Sequence, residues 1–133
     1  MNIDLSALYR NPSIPAGYYF AKAVEIIEEH VDDEYPLVQV RLKIWDESLR
    51  GTELVCILHS SSKCRYFHEN FISTFRFDGP YSLAQGKWGC IEVYDANYCA
   101  TCYSAVKFVY QKADIKRKVI ALEIKDERGD VAW

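Results

Sequence analysis

Leu37-Val38-Gln39-Val40-Arg41-Leu42-Lys43-Ile44-Trp45 is the stretch that decides the fold class. Val38, Val40, Leu42 and Ile44 alternate with Gln39, Arg41, Lys43 and Trp45, and a period of two belongs to a strand whose successive side chains point to opposite faces. One face suits a core; the other carries two cations and an indole. Antiparallel sheets with a single buried face produce this alternation, so the chain is expected to be mainly β.

Upstream, Gly17 precedes Tyr18 to Ile27, read as a first strand; a helix over Ala21–Glu29 is the alternative on propensity alone. Glu28, Glu29, Asp32, Asp33 and Glu34 form an acidic stretch closed by Tyr35-Pro36, expected as an exposed hairpin loop. Residues 1–16 read as an irregular lead, because Pro12 and Pro15 interrupt regular structure. Downstream, Asp46 to Gly51 is a polar turn, and Thr52 to His59, apolar on both faces, is a third strand. The period then changes. Cys64, Phe67, His68, Phe71, Ile72 and Phe75 recur at three and four, which predicts a helix over 63–76 with one aromatic face. Ser61 or Ser62 is its N-cap, and Asp78-Gly79-Pro80 stops it. Trp88 to Tyr94 and Tyr103 to Gln111 are fourth and fifth strands around a turn at Asp95-Ala96-Asn97-Tyr98. Val119 to Ile124 fits a sixth strand within a C-terminal extension, residues 113–133.

Strand, strand, strand, helix, strand, strand is the order of the OB-fold. The expectation is therefore a five-stranded OB-fold-like barrel over residues 17–112, with one helix between strands 3 and 4 plugging an end. A plain mixed sheet with one covering helix gives a similar pattern.

The chain has 133 residues, 50% apolar and 26% charged, which is one domain of ordinary globular composition and not a disordered chain. Aromatic content is the departure, with ten Tyr, six Phe and three Trp. No apolar run reaches the roughly 18 residues of a membrane span, and Met1-Asn2-Ile3-Asp4-Leu5 carries no secretory pattern, so a cytoplasmic protein without membrane contact is expected. Five cysteines, an odd number, fit a reduced compartment. Cys99-Ala-Thr-Cys102 has CxxC spacing, but Cys90, Cys64, His59 and His68 supply no second close pair for a four-ligand zinc site, so no metal and no cofactor are expected. The net charge is −3: residues 1–60 carry five Lys/Arg against ten Asp/Glu, and residues 61–133 carry eleven against nine. That balance argues against sequence-blind duplex binding, which rests on phosphate contacts, and leaves room for a local basic groove that stacks bases on rings.

Pro15-Ala16-Gly17-Tyr18-Tyr19, Arg50-Gly51-Thr52, Gly86-Lys87-Trp88-Gly89 and Val106-Lys107-Phe108-Val109-Tyr110, each at the edge of an expected strand, resemble a phage and prophage family of small OB-like proteins. The resemblance covers roughly residues 15–112. Proteins of that family were long of unknown function and are taken to bind single-stranded DNA beside recombination and replication genes. It implies single-stranded DNA as ligand and replication or recombination proteins as partners. The chain departs from bacterial single-strand binding proteins in its acidic balance and in lacking their long acidic tail.

Arg41, Lys43 and Trp45 share the polar face of the second strand, where an OB barrel meets oligonucleotides, and each cation there can meet a phosphate while the ring stacks on a base. A solvated face with Trp45 at the rim is the equal alternative. Lys87, Trp88, Tyr98, Tyr103 and Lys107 add rings and charge around the last two strands; Trp88 is weighed first as a core indole. Lys112, Lys116, Arg117 and Lys118 form a basic cluster that suits phosphates or a solvated linker. No catalytic constellation emerges: no Walker loop, no triad, and a Cys64/His68 pair without a third orienting group. The reading is a non-enzymatic binder of single-stranded nucleic acid, with an OB-like protein-interaction module as its rival; open sheet edges make a homodimer one expected assembly.

Overall fold

The computed structural model describes residues 3–98, 101–109 and 112–133, with residues 97, 98, 101 and 102 placed by backbone alone. Five strands form one antiparallel sheet: β1 (Gly17–Glu29), β2 (Leu37–Trp45), β3 (Glu53–Leu58), β4 (Trp88–Tyr98) and β5 (Thr101–Phe108), in the spatial order β3-β2-β1-β4-β5. Helix α1 (Arg65–Phe75) lies between β3 and β4 in sequence, and α2 (Ala113–Glu127) follows β5. The alternation in β2 works as read: Val38, Val40, Leu42 and Ile44 are fully buried, while Arg41, Lys43 and Trp45 face outward.

The sheet curls without closing. Among the described residues no ladder joins β3 to β5, so a closed barrel is not what the chain forms. The two edges are instead linked through a side chain of the N-terminal segment. Asn11 Nδ2 donates to the Val55 carbonyl on β3 and to the Ser104 carbonyl on β5, both at 2.9 Å, and Asn11 Oδ1 accepts from Val55 N–H at 2.7 Å. Ser104 Oγ also accepts from Ile14 N–H at 3.0 Å. The lead is thus less irregular than Pro12 and Pro15 suggest. Leu5–Arg10 is a 3-10 turn capped by Asp4, and Ile3 and Leu8 cover Leu37, Ile57 and Val55 on the outer face.

Two other expectations are corrected. Asp95–Tyr98 is not a turn, because β4 continues to Tyr98 through the pairs Asp95–Ser104, Ala96–Tyr103, Asn97–Cys102 and Tyr98–Thr101. A continuous cross-strand ladder outweighs the local turn preference of Asp and Asn. Val119–Ile124 is helix, not a sixth strand. Ala, Lys, Arg, Leu and Glu dominate α2 and favour helix, and Ile115, Val119 and Leu122 fall on one face, packed on Trp88 together with Phe20, Val131 and Trp133. The acidic Glu123 and Asp126 project from the same face. Glu123 Oε1 pairs with the Arg76 guanidinium and accepts from Trp88 N–H at 3.0 Å; Asp126 Oδ2 accepts from Trp88 Nε1 at 3.2 Å and meets Lys22 Nζ at 2.7 Å.

The α1 prediction stands, with Ser61 capping a 3-10 turn, Ser62–Cys64, that leads into the helix. Arg76, in the left-handed region at φ 54°, ends it. Phe71 and Phe75 fill the concave side of the sheet against Phe77, Tyr81 and Phe108. Gly89 on β4 faces α1 closely enough that a Cβ there would come within 2.7 Å of Thr74 Cγ2, which explains a glycine in a central strand.

His68 is the polar member of this core. Its Nε2 lies 2.7 Å from the His59 carbonyl, which can only accept, so Nε2 carries the proton and Nδ1 accepts from Tyr81 OH at 2.8 Å. Tyr35 stacks on the ring at 4.5 Å. Burial lowers the His68 pKa below 6.5, against a smaller opposing effect of the His59 carbonyl, so the folded state resists a proton that the unfolded chain takes up. Stability from this group is complete above about 6.5 and falls as pH drops from there toward the lower folded value. Denaturant unfolding between pH 5 and 7 (a window on the order of the ordinary His range) is expected to show this slope, and His68→Gln is expected to flatten it.

Candidate nucleic-acid interface

The expected site residues divide between two regions of the outer surface. Arg41, Lys43 and Trp45 do share one face of β2, but two carboxylates flank Arg41, while Lys43 lies over Trp133 much as Lys107 lies over Tyr94. Arg41 lies between Glu25 at 3.4 Å and Glu53 at 4.0 Å, the partners facing it from β1 and β3. These pairs are half exposed and contribute about 0–1 kcal/mol, but they neutralise the charge locally. Lys43 Nζ sits 4.7 Å over the Trp133 ring, and Trp133 stacks on Trp88 at 5.1 Å and 6° between planes. Trp45 remains 40% exposed beside a cleft of about 620 Å³ that is also lined by Asp46, Glu47, Arg50, Lys125 and Asp130, a lining with more acid than base.

Trp88 is corrected: it is fully buried beneath α2, so its ring is closed to a base. Lys87 is spoken for as well, its Nζ donating to the Arg76 carbonyl at 2.9 Å, where it helps close the αL turn after α1. Both residues hold α1 and α2 to β4. The backbone of Tyr98 is in β4, and its side chain lies outside the described residues, as does Cys99; Cys102 is placed by backbone alone. Among the described residues no group of three or more His, Cys, Asp or Glu could hold a metal ion.

Tyr103 and Lys107 share the outer face of β5 in the other region. The register places Tyr18 (β1), Glu92 (β4) and Lys107 (β5) in one row across the sheet, with Tyr94 opposite Ala105 and Tyr103 opposite Ala96 in the next two rows. All point outward, because Ile91, Val93, Val106 and Phe108 on the alternate positions are buried. Lys107 Nζ lies 4.7 Å over the Tyr94 ring, and Tyr103 meets Tyr9 edge-on at 5.2 Å. Burial pushes the Tyr94 phenol above its ordinary pKa, with Cys56, Tyr103 and Glu92 adding to the rise, so this hydroxyl stays protonated at neutral pH.

The first turn of α1 completes the surface. Tyr66 is 73% exposed and Phe67 44%, and Tyr18 across from them is 68% exposed. These three, with Asn70, Glu92, Lys107 and Lys112, line an open cleft of about 410 Å³. Its charged lining is two lysines against one glutamate. Lys112 precedes α2, and Lys116, Arg117 and Lys118 are exposed on the first turns of that helix rather than on a linker. Tyr66 and Phe67 were absent from the expected site because the helical period assigned Phe67 to the core face. The signal was there: two adjacent aromatics cannot both join a face defined by His68, Phe71 and Phe75. Among the described residues no helix is long and apolar enough to cross a membrane. No protein-family model matches the chain, and no curated protein matches it either.

Proposed function

We propose that the protein binds single-stranded nucleic acid, DNA in the first instance, on the outer face of β4 and β5 and the adjoining start of α1. The observation that carries this is the cleft in which exposed Tyr18, Tyr66 and Phe67 alternate with Lys107 and Lys112. Flat rings with free faces take bases of any sequence, and ammonium groups beside them follow the phosphates. Strand order and helix position support an open OB-like sheet. That scaffold commonly takes oligonucleotides on the β2–β3 face, where here Glu25 and Glu53 flank Arg41, so the reading moves the contact to β4 and β5. The family resemblance of the strand-edge motifs points the same way, toward an accessory role in phage-type replication or recombination.

Anisotropy of a labelled oligo-dT is the test. Binding is expected at low salt and weakens as salt rises. Tyr66→Ala is expected to weaken it by about 5- to 150-fold, the equivalent of about 1–3 kcal/mol for one stacked base. Lys107→Ala is expected to reduce the salt slope by about 0.7, the value for one phosphate on a single strand. Arg41→Ala is expected to change little, because Glu25 and Glu53 already neutralise that guanidinium. No anisotropy change at micromolar protein overturns the proposal and leaves the exposed rings to a protein-interaction module.

A further inference from the structure

Beside the cleft, the gap between the two sheet edges opens into a second, smaller hollow of about 150 Å³. It exists because β3 and β5 run in the same direction without a ladder between them, held at a fixed separation by the Asn11 carboxamide at Val55 and Ser104. The next residues along each strand, Cys56 and Ile57 on β3 and Ala105 and Val106 on β5, form its walls. Three aromatic residues, Phe67, Tyr94 and Tyr103, line it as well, and so do His59 and Cys64. Phe67 also lines the larger cleft, so the two spaces share that side chain as a common wall. Burial pushes the Cys56 thiol up to about 12, which keeps this wall uncharged.

A small, mostly apolar hollow lined by three aromatic residues and adjoining a cation-bearing cleft at Phe67 has the character of a slot for one flat ring. An apolar cavity of about 150 Å³ accepts a single six-membered ring such as benzene. A pyrimidine matches that size, whereas a fused purine exceeds it. Enzymes that act on bases show that a nucleotide can be turned out of its strand into such a pocket at a cost of a few kcal/mol, least when the strand is already unpaired. We infer that the seam between β3 and β5 receives one pyrimidine base of the bound strand, stacked among Phe67, Tyr94 and Tyr103, while Lys107 and Lys112 hold the neighbouring phosphates. This rests on the nucleic-acid reading above and adds a base preference to it.

The full chain titrated with labelled dT, dC, dA and dG oligomers of equal length, at one salt concentration, tests the inference. The pyrimidine oligomers are expected to bind at least about fivefold more tightly, the lower value for one stacked base. Because homopurine strands also stack on themselves, the decisive readout is the change of this ratio in variants. Ala105→Leu fills the slot and is expected to bring the ratio close to one. Phe67→Ala, at an exposed helix position that folding tolerates, widens the slot and is expected to narrow the ratio while lowering all affinities. A ratio near one in the unaltered protein overturns the slot and keeps the nucleic-acid reading. So does a ratio that persists in either folded variant. Absence of binding to all four oligomers overturns both.

Discussion

Phe71→Ala is expected to lower the unfolding free energy by about 3–5 kcal/mol, the range for removing a buried phenyl ring. The ring has no exposed surface and touches Phe75, Phe77, Tyr81 and Phe108 at centroid distances between 5.0 and 5.9 Å. Those neighbours come from α1, the loop after it and β5, so no single element can slide inward to fill the space. Two terms therefore add: the lost transfer free energy and the unfilled cavity. For a chain of this length the melting temperature should drop by on the order of 10 °C or more. Denaturant melts would register the loss as a lower midpoint with an unchanged slope. A loss below about 1 kcal/mol would mean that the concave side of the sheet repacks freely, contrary to the packing density of protein interiors.

Glu123→Ala is expected to cost about 3 kcal/mol, the lower end for breaking a buried ion pair, because both side chains keep a fifth to a quarter of their surface exposed. The carboxylate serves three donors: Arg76 Nη1 at 3.4 Å, Arg76 Nη2 at closer range, and Trp88 N–H at 3.0 Å. Removing it leaves the Arg76 guanidinium without a counter-charge, with the Trp88 carbonyl at 3.1 Å as its remaining partner among the described residues, and a strand N–H without its acceptor at the junction of α1, β4 and α2. The double substitution Arg76→Met with Glu123→Met is expected to be markedly less harmful than the two single effects summed, since no charge then lacks a partner. Hydrogen exchange provides a second readout. Amides of α2 should lose protection in Glu123→Ala ahead of those in β1 and β2, because this carboxylate is one of the helix's few polar ties to the sheet.

Legibility followed the strength of the local pattern. β2 was readable because the period-two set Val38, Val40, Leu42 and Ile44 is fully buried on one face, even though Leu37 and Gln39 on the other are covered as well. α1 was readable for the same reason with a different period. α2 was not, because Val119-Ile120-Ala121-Leu122 is a short apolar run that suits either element; its helical face becomes visible only when Glu123 and Asp126 are counted as partners of Trp88 and not as solvent-facing charges. Arg41 shows the limit at the site. Sequence alone assigns it to the polar face, but the carboxylates that neutralise it, Glu25 and Glu53, come from two other strands whose register the sequence does not state. Lys107 was visible as a candidate on the fifth strand, yet the cleft it borders also needed Tyr66 and Phe67 from α1.

The link formed by Asn11 has a bearing on solubility. Strands at the margin of a sheet offer rows of unsatisfied backbone groups to neighbouring molecules, and many proteins guard them with lysines, prolines or short lengths. Here the two margins face each other, and one carboxamide occupies the Val55 amide and carbonyl and the Ser104 carbonyl from within the same chain. Protection against fibre-like self-templating thus falls to the N-terminal segment, with Asn11 as its polar tie to both margins and Ile3 and Leu8 as its apolar cover over β3.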